Sequence, residues 1–388
     1  MSNIVVLPPT ATTLNLHMGN LYSWVLADTY ARANRKKGID IRVLESWNCL
    51  SKKLEEGDNN PTSQEDVFER SSLAIENARN FFHRYELEFE PSSASDSDKD
   101  YTDFVTQKYI ELKKRGLISD DKIILPNLDT ILKIASGVKW VPKGSEKRLN
   151  GINIPPMAME LFRPGIIGIP HPQERGYVFG QKFVQSNLFD YLKQKHTLKA
   201  GFYGNDSLSR WLYFVMSFTK DLPIEMIGLT GIILNKDGKK MSKYNPETPK
   251  LEDITTHPDN VRLSLLKQSF GRSFVFPSFD EEDKIRNKII NTRRFLLYFA
   301  REGNSNIDLS ILQRERKDII NEVLNARFSE AYHKFRYYVT QLISRDLIES
   351  IKGKGVNKTQ RLSLVDMLDS LNGIFTPVTV REYKKRDC

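Results

Sequence analysis

Two short segments of the sequence carry residue types that suit chemistry on a polyphosphate. Residues 16–20 read LHMGN, and residues 239–243 read KKMSK. An imidazole can donate a hydrogen bond to a phosphate oxygen as negative charge develops, and positioned ammonium groups stabilise the charge on a departing pyrophosphate. Because three lysines within five residues repel one another, a polyanionic ligand is the simplest explanation for placing them together.

Each segment on its own also has an ordinary structural explanation. His17 could cap a turn at the start of a surface helix, and the lysines could form a solvated basic loop. Gly19 lets the backbone approach a flat base or a phosphate closely. Asp237 and Gly238 precede the lysines and predict a turn, which would let the loop close on a nucleotide. The functional interpretation depends on the two segments occurring together and in this order.

A strand–helix–strand unit must position the first segment. Residues 3–7 predict a buried strand, residues 19–37 a helix that stops at Gly38, and residues 39–44 a second strand. This order is typical of a βαβ unit and predicts a parallel sheet. Ligands of such sheets bind outside the carboxyl ends of the strands, so we expect His17 to lie there, beside a helix N-terminus that attracts phosphate.

A third candidate segment lies between the other two. Residues 202–204 predict the end of a strand, and residues 209–218 predict a helix. Between them, the Asp206 carboxylate could accept hydrogen bonds from ribose hydroxyls, and Gly204 would leave room for an adenine. Asp206 could equally be the N-cap of the helix. The two roles are compatible with each other.

The rest of the chain divides by its local patterns. Between residues 60 and 160, polar stretches alternate with helical patterns, and we interpret this region as an insertion between two halves of a nucleotide-binding fold. Residues 226–234 predict a strand that leads into the lysine-rich loop. After Pro258 the pattern is helical, with four apolar residues on one predicted face. These are Ile285, Ile289, Leu296 and Phe299. Three polar stretches predict loops, at residues 51–62, 91–100 and 142–150.

Composition limits the classes of protein that fit. The chain has 388 residues, a net charge of +9 and 39% hydrophobic residues, which allows two or three globular domains and is compatible with a nucleic-acid or nucleotide partner. No stretch of about 20 apolar residues predicts a membrane span, and no signal peptide is recognised, so we expect a cytoplasmic protein. Two cysteines, Cys49 and Cys388, and the single histidine of the predicted insertion, His83, argue against structural zinc.

Together the segments resemble the methionyl/leucyl branch of class I aminoacyl-tRNA synthetases over roughly the first 300 residues. The LHMGN segment and the helix after it are similar to the family's HIGH motif and first helix, and KMSK is similar to its KMSKS loop. Residues 103–117, Arg163 with residues 168–172, and the GNDSLSRW segment from Gly204 also resemble parts of that branch.

The resemblance implies a fold and a domain order. The fold class would be α/β, with a Rossmann-like parallel-sheet catalytic domain, an inserted connective domain and a C-terminal helical domain. In this sequence the two catalytic halves would be residues 1–60 and 161–250, the second carrying the KMSK loop. The insertion would be residues 61–160, and the helical domain would be residues 251–388.

The resemblance also implies roles for individual residues. His17 and Asn20 would contact the ATP phosphates, and Lys240 and Lys243 would stabilise the pyrophosphate. Five further residues of the three segments would bind the nucleotide. These are Gly19, Gly204, Asp206, Met241 and Ser242.

Several positions depart from the family pattern. Asn20 replaces the second histidine of the HIGH motif, and Tyr244 replaces the last serine of KMSKS. Asn48 stands where the family has an acidic ligand for the substrate amino group, within a substrate-binding segment that includes Glu45 and Trp47. Since an asparagine cannot ion-pair with an ammonium, the substrate either lacks an ordinary free α-amino group or finds its anion elsewhere, for example at Glu45.

The sequence therefore predicts a monomeric ligase that uses ATP with Mg²⁺ to activate an amino acid as an aminoacyl adenylate. The acceptor would be the 3′ end of a tRNA. In the alternative, a stand-alone paralogue would pass the adenylated acid to a small-molecule or peptide amine, and the short architecture and Asn48 favour this. A catalytically silent regulator that binds nucleotide or RNA is a third possibility, which the retained lysines oppose.

Overall fold

The structure, a computed structural model, describes most of the chain in two compact units. The residues outside the description are 8–9, 13–15, 50–62, 92–94, 96, 151, 153–160, 166–167, 206–211, 213–214, 217–218, 220, 242–249, 304–306 and 388. The first unit contains residues 1–27, 41–81 and 88–232, and the second contains residues 28–40, 82–87 and 233–388.

A parallel six-stranded sheet forms the centre of the first unit. Its strand order is β5-β3-β1-β11-β12-β8, and every neighbouring pair runs parallel. The strands are β1 (Ser2–Val6), β3 (Ile41–Leu44), β5 (Phe89–Glu90), β8 (Lys139–Val141), β11 (His196–Gly204) and β12 (Ile224–Thr230). Val5 and Val6 are fully buried in the central strand, as is typical of a sheet covered on both faces.

The order of the strands creates a switch point between β1 and β11. From β1 the chain moves to one side of the sheet to form β3, whereas β11 and β12 extend the sheet on the other side. In open parallel sheets, the crevice outside the carboxyl ends of the strands at such a point is where ligands bind. The segment after β1, which carries His17, and Gly204 at the end of β11 are therefore placed at the favoured position for a ligand.

Helices follow several of these strands, and some helix ends carry a local cap. The long helix α1 (Met18–Lys36) follows β1, and Gly38 adopts a positive φ of 79° just beyond its end, which is the usual glycine position for a helix C-terminus. Asp98 caps the third helix by accepting hydrogen bonds from the N–H groups of Asp100 and Tyr101. The further helices are α2 (Gln64–Arg84), α3 (Lys99–Lys114), α4 (Leu128–Ser136), α5 (Gln181–Ser186) and α6 (Leu188–Leu192).

Three small ribbons complete the first unit. One of them, the parallel pair of β2 and β4, joins the segment after β1 to the segment after β3, with Thr10 opposite Trp47 and Ala11 opposite Asn48. This pairing brings the predicted substrate-binding segment beside the chain that leads to His17. The ribbon strands are β2 (Thr10–Ala11), β4 (Trp47–Asn48), β6 (Ile118–Ser119), β7 (Lys122–Ile123), β9 (Phe162–Pro164) and β10 (Tyr177–Phe179).

The second unit is mainly helical. A short parallel pair, β13 (Ile233–Leu234) with β14 (Phe274–Val275), precedes most of its helices. Two segments, Phe295–Phe299 and Tyr338–Leu347, are π-helical. The helices are α7 (Pro258–Leu266), α8 (Asp280–Arg294), α9 (Ser310–Leu324), α10 (Phe328–Tyr337), α11 (Ile348–Lys354), α12 (Lys358–Phe375) and α13 (Pro377–Asp387). No helix among the described residues is both long and apolar enough to cross a membrane.

Buried charges fix one part of this helical unit. Arg262 is 1% exposed and donates from Nη2 to Asp28 Oδ2 at 2.6 Å and to Thr29 Oγ1 at 2.7 Å. Burial lowers the pKa of the Arg262 guanidinium, and the neighbouring Asp28 carboxylate opposes that effect. Asp259, fully buried, accepts the N–H groups of residues 378 and 379 and so caps the last helix.

The main sequence predictions about the fold are confirmed. The βαβ start, the parallel sheet, the strand that ends at Gly204 and the helical character of the second unit all appear in the structure. The α/β fold class is thereby confirmed. The predicted domain boundaries stay a prediction, although residues 61–160 contribute both edge strands of the central sheet, β5 and β8.

Other predictions were wrong in detail. Residues 142–150 contain a 3₁₀ helix at Ser145–Leu149, and α3 begins at Lys99 because Asp98 caps it there. The single strand expected at residues 226–234 is split into β12 and β13, which belong to different sheets. The predicted loop at 51–62 lies outside the described residues, as does most of the predicted helix at 209–218.

Phe299 does not share the buried face predicted for it. Ile285, Ile289 and Leu296 are buried, whereas Phe299 is 71% exposed. Residues 295–299 form a π-helical turn, whose wider spacing changes the direction in which each following side chain points. The 3.6-residue period of the sequence pattern therefore fails at this point.

Candidate active site

His17 caps helix α1 with its own side chain. Its Nδ1 accepts a hydrogen bond from the Gly19 N–H at 3.0 Å, and its backbone N–H donates to Asn20 Oδ1 at 3.4 Å. The pair forms a reciprocal cap, with the imidazole and the amide each satisfying a backbone N–H at the helix start. Because Nδ1 is an acceptor, the neutral ring carries its proton on Nε2, which is the form that can donate to a phosphate oxygen.

The position of that imidazole favours a glycine at residue 19. A Cβ added at Gly19 would lie 2.8 Å from His17 Cε1 and 3.0 Å from Nδ1, closer than carbon atoms pack. The absence of a side chain at Gly19 therefore lets the ring lie against the first turn of α1. The sequence interpretation gave Gly19 the role of admitting a ligand, and the structure adds a reason internal to the protein.

The segment after β3 contains a carboxylate that is already partnered. Glu45 is 2% exposed, and its Oε2 accepts the indole N–H of Trp47 at 2.8 Å. Its Oε1 accepts from Arg79 Nε at 3.0 Å and from Arg79 Nη2 at 2.8 Å. Both carboxylate oxygens are thus engaged, and the negative charge is balanced by a guanidinium. This arrangement weakens the idea that Glu45 is the anion for a substrate ammonium.

The residues that alternate with Glu45 and Trp47 differ from Glu45 because they contain buried polar atoms that lack a partner in the described part of the chain. Ser46 and Asn48 are each 4% exposed, and the Ser46 Oγ and Asn48 Oδ1 atoms have no hydrogen-bond partner among the described residues. A buried polar atom without a partner costs about 1–3 kcal/mol, so such atoms in a native protein call for an explanation. Two of them, two residues apart in the segment that follows β3, are what a site for a polar ligand would present.

The third predicted segment is described only at its start. Gly204 ends β11 opposite Thr230 of β12, and the Asn205 N–H donates to the Thr230 carbonyl at 3.1 Å. The Asn205 Oδ1 accepts a hydrogen bond from Arg148. Asp206 lies outside the described residues, so its ribose-binding role stays a prediction.

The lysine segment begins in a β-hairpin of the second unit. Leu234 pairs with Lys240, and the Met241 N–H donates to the Ile233 carbonyl at 3.1 Å. Asn235 Oδ1 holds the turn by accepting the N–H groups of residues 237 and 239, at 3.1 Å and 2.8 Å. Lys240 is exposed at the end of this hairpin.

Two of the predicted lysine-loop residues, Ser242 and Lys243, lie outside the described residues, and so does Tyr244. The predicted turn at Asp237 and Gly238 is confirmed, since Gly238 has a positive φ of 75°. Within the described ranges, no group of three or more His, Cys, Asp or Glu side chains is placed to hold a metal ion.

Sequence reasoning missed three residues of this region. Arg79 is 34 positions from Glu45 and no local pattern connects them. Arg148 was assigned to a polar loop, and its contact with Asn205 spans 57 positions. Ser46 could have been found, because it alternates with Asn48 in the segment that follows a predicted strand.

Comparison with known proteins agrees with this architecture. No family model matches the chain. A curated relative, the valine–tRNA ligase of Methanocaldococcus jannaschii, is 24% identical over 209 residues, which are 47% of this chain and 24% of the ligase. The matched part therefore spans about a quarter of the length of that relative.

Two solved structures are similar over nearly the whole chain. The methionyl-tRNA synthetase of Mycobacterium tuberculosis in complex with methionyl-adenylate matches with a TM-score of 0.71 at 14% identity, covering 98% of this chain and 93% of that one. A second structure of the same synthetase, bound by methionyl-adenylate, matches with a TM-score of 0.70 at 13% identity, covering 97% and 92%. The chain has the fold of a class I aminoacyl-tRNA synthetase. The resemblance predicted from the sequence is thereby confirmed at the level of the fold.

Proposed function

We propose that the protein is an ATP-dependent ligase that converts an amino acid into an aminoacyl adenylate and transfers the acyl group to the 3′ end of a tRNA. One observation carries the proposal: a fold match over 98% of the chain to a synthetase whose structure contains methionyl-adenylate. Adenylate formation joins a carboxylate oxygen to the α-phosphorus of ATP and releases pyrophosphate. No protein nucleophile is required, because positioning and charge stabilisation suffice.

The roles of the first unit follow from the switch point of its sheet. His17, with its proton on Nε2, would donate to an ATP phosphate, and the N-terminus of α1 adds a partial positive charge. Asn20 would help to hold that cap in place. Gly204 and Asp206 would bind the adenosine, since Gly204 ends a central strand of the parallel sheet and Asp206 comes two residues later in the sequence.

The second unit would supply positive charge. Lys240 and Lys243 would stabilise the pyrophosphate as its charge grows, and Met241 and Ser242 would form the backbone of the loop between them. The Mg²⁺ ion would arrive with ATP and neutralise its phosphates as part of the substrate.

The acceptor is proposed to be RNA because of an exposed face in the helical unit. Along α8, Asn287, Asn291 and Arg294 are exposed and line an open cavity of 450 Å³ that also includes Tyr298, itself 63% exposed. Amides, a guanidinium and a stacking aromatic ring on one helix face suit unpaired nucleotides. Phe299, 71% exposed, extends the aromatic surface.

The alternative acceptor, an amine of a small molecule or peptide, keeps one supporting observation. Glu45 is neutralised by Arg79, and the neighbouring buried groups of Ser46 and Asn48 are uncharged. A pocket of this kind suits an acid without an ordinary free ammonium, since a buried ammonium needs a counter-ion. Such an acid is unusual for translation and more natural for a biosynthetic amide ligase.

Mass spectrometry would test the activation step. We would incubate the protein with ATP, Mg²⁺ and a pool of amino, N-acylated and hydroxy acids, and extract the bound acyl adenylate. Detection of an acyl adenylate formed from any acid of the pool supports the proposal, and the mass of the adenylate identifies that acid. If the wild-type protein forms no acyl adenylate with any acid of the pool, and the only product is AMP from slow hydrolysis of ATP, the proposal fails.

A second assay separates the two acceptors. Tyr298→Ala should raise the KM for tRNA about tenfold, through loss of a stacking contact of ~1–3 kcal/mol, while adenylate formation is unchanged. Tyr337→Ala is the matched control, because Tyr337 is 52% exposed on another helix. Transfer to amines without any response to tRNA would favour the alternative acceptor.

A further inference from the structure

A second candidate site lies in an open cavity of 560 Å³ within the helical unit. Its lining residues are Arg32, Glu86, Gly373, Pro377, Val380, Arg381, Lys384 and Lys385. All of them belong to the second unit, and none belongs to the candidate active site. The volume falls within the range of about 300–1,000 Å³ that is usual for small-molecule sites.

Positive charge dominates the lining. Four of the eight residues are Arg or Lys, against one carboxylate, Glu86. Lys384 and Lys385 are exposed, adjacent residues of α13, and neither pairs with a described carboxylate. Both residues line the cavity, so an anion bound there would lie near two positive charges. The cavity therefore favours a ligand with more than one negative charge.

Glu86 holds the two arginines in place. Its carbonyl accepts from Arg32 Nη2 at 2.5 Å, and its carboxylate accepts from Arg381. Arg32 is also fixed by Asp28 Oδ2 at 2.8 Å and by the Gly373 carbonyl at 3.1 Å. Glu86 makes these contacts in a left-handed conformation, with a φ of 51°. This is the usual conformation of the residue that ends a helix in a Schellman motif: the Leu87 N–H donates to the Phe82 carbonyl at 2.8 Å, and the Glu86 N–H donates to the His83 carbonyl at 3.3 Å.

One wall of the cavity is apolar and unfilled. Pro377 and Val380 provide aliphatic surface beside Gly373. A Cβ added at Gly373 would meet no atom within 4 Å. The glycine thus leaves a gap next to the cations, where the uncharged part of a ligand can lie.

We propose that this cavity binds a small organic phosphate with at least two negative charges, such as a nucleoside diphosphate. The two lysines would contact the phosphates, and the wall formed by Pro377, Val380 and Gly373 would hold the nucleoside. The site is separate from ATP activation and does not depend on it.

Filling the gap tests the proposal without altering any charge. Gly373→Leu places a side chain in the cavity from α12, and Gly353→Leu is the matched control, since Gly353 lies in α11 and its Cβ would also meet nothing within 4 Å. We would titrate the full chain with guanosine diphosphate by calorimetry. We expect saturable binding in wild type and the control, and at least tenfold weaker binding in Gly373→Leu.

A variant that removes charge from the cavity provides a second test, which remains available if Gly373→Leu does not fold. Lys384→Ala with Lys385→Ala should weaken guanosine diphosphate at least tenfold and leave uncharged guanosine unaffected. The control, Lys284→Ala with Lys288→Ala, removes the same charge from exposed positions of α8 and should bind normally. Absence of saturable binding in wild type, or equal affinity in the cavity and control variants, would overturn the proposal. Acyl adenylate formation is measured separately, so either result can fail alone.

Discussion

The turn at His17 and the hairpin before Lys240 each position a side chain with a proposed role in catalysis, but they do so in different ways. In the turn, the side chain proposed to contact ATP also caps the helix, through the Gly19 N–H at 3.0 Å. In the hairpin, an uncharged residue, Asn235, holds the turn and the lysine is exposed beyond it. In the turn, one residue therefore has both the structural and the proposed chemical role, whereas in the hairpin different residues have these roles.

The largest effect should come from the hairpin. Lys240→Ala removes a charge from an exposed position, so adenylate formation should fall by roughly 10²-fold or more while the melting temperature hardly changes. Lys236→Ala is the matched control, because Lys236 is an exposed lysine of the same hairpin outside the KMSK segment. Single-turnover kinetics would compare the two, and equal rates in both variants would remove the role assigned to Lys240.

The next largest effect is expected at His17, which has both a structural and a proposed chemical role. His17→Ala should lose both the cap, worth about 0.5–2 kcal/mol, and about 10²-fold in adenylation rate. His17→Ser restores a capping oxygen without an imidazole, so stability should return while the rate stays low. Chemical denaturation and single-turnover kinetics on both variants provide the check. A rate that recovers together with stability would mean that His17 acts only as a cap.

A smaller effect is expected at Gly19. Gly19→Ala places a Cβ 2.8 Å from His17 Cε1, so the ring must move while the helix keeps a good helix former. We expect the adenylation rate to fall about tenfold, a change of ~1.4 kcal/mol in the barrier, with little loss of stability. Gly353→Ala, in open space on α11, should leave the rate unchanged. Equal rates for both alanine variants would show that the ring position is unimportant.

The smallest effect is expected at Asn235. Asn235→Ala removes the acceptor for two backbone N–H groups of the turn, at 3.1 Å and 2.8 Å, and leaves every lysine in place. The turn should loosen, which lowers the adenylation rate about threefold, or ~0.6 kcal/mol. Asn235→Asp keeps an acceptor oxygen and should retain most of the activity. A loss as large as that of Lys240→Ala would contradict the separation of roles in the hairpin.

Local patterns revealed the elements that frame the candidate site. The strand before His17, the helix after it and the turn at Gly238 have signals confined to a few residues, and the structure contains all of them. The edge strands β5 and β8 were not predicted, because two or three residues carry no period of their own. Their place in the sheet is decided by neighbours that are distant in sequence.

Contacts between distant residues account for the rest. The sequence suggested Glu45 as a free anion, but Arg79, 34 positions away, already pairs with it. The Ser46 and Asn48 oxygens, which have no partner in the part of the chain that the structure describes, are recognised only when burial and hydrogen bonds are known. The capping role of His17 was weighed as an alternative to its chemical role, whereas the reciprocal bonds with Gly19 and Asn20 are compatible with both.

Exchange of labelled pyrophosphate into ATP, measured against a panel of acids with and without tRNA, tests the central claim most directly. Exchange requires reversible adenylate formation and needs no acceptor. We expect exchange that depends on one acid and that falls by roughly 10²-fold in Lys240→Ala but not in Lys236→Ala. If no acid supports exchange in wild type under either condition, while the protein is folded and binds ATP, the proposed activation step is contradicted.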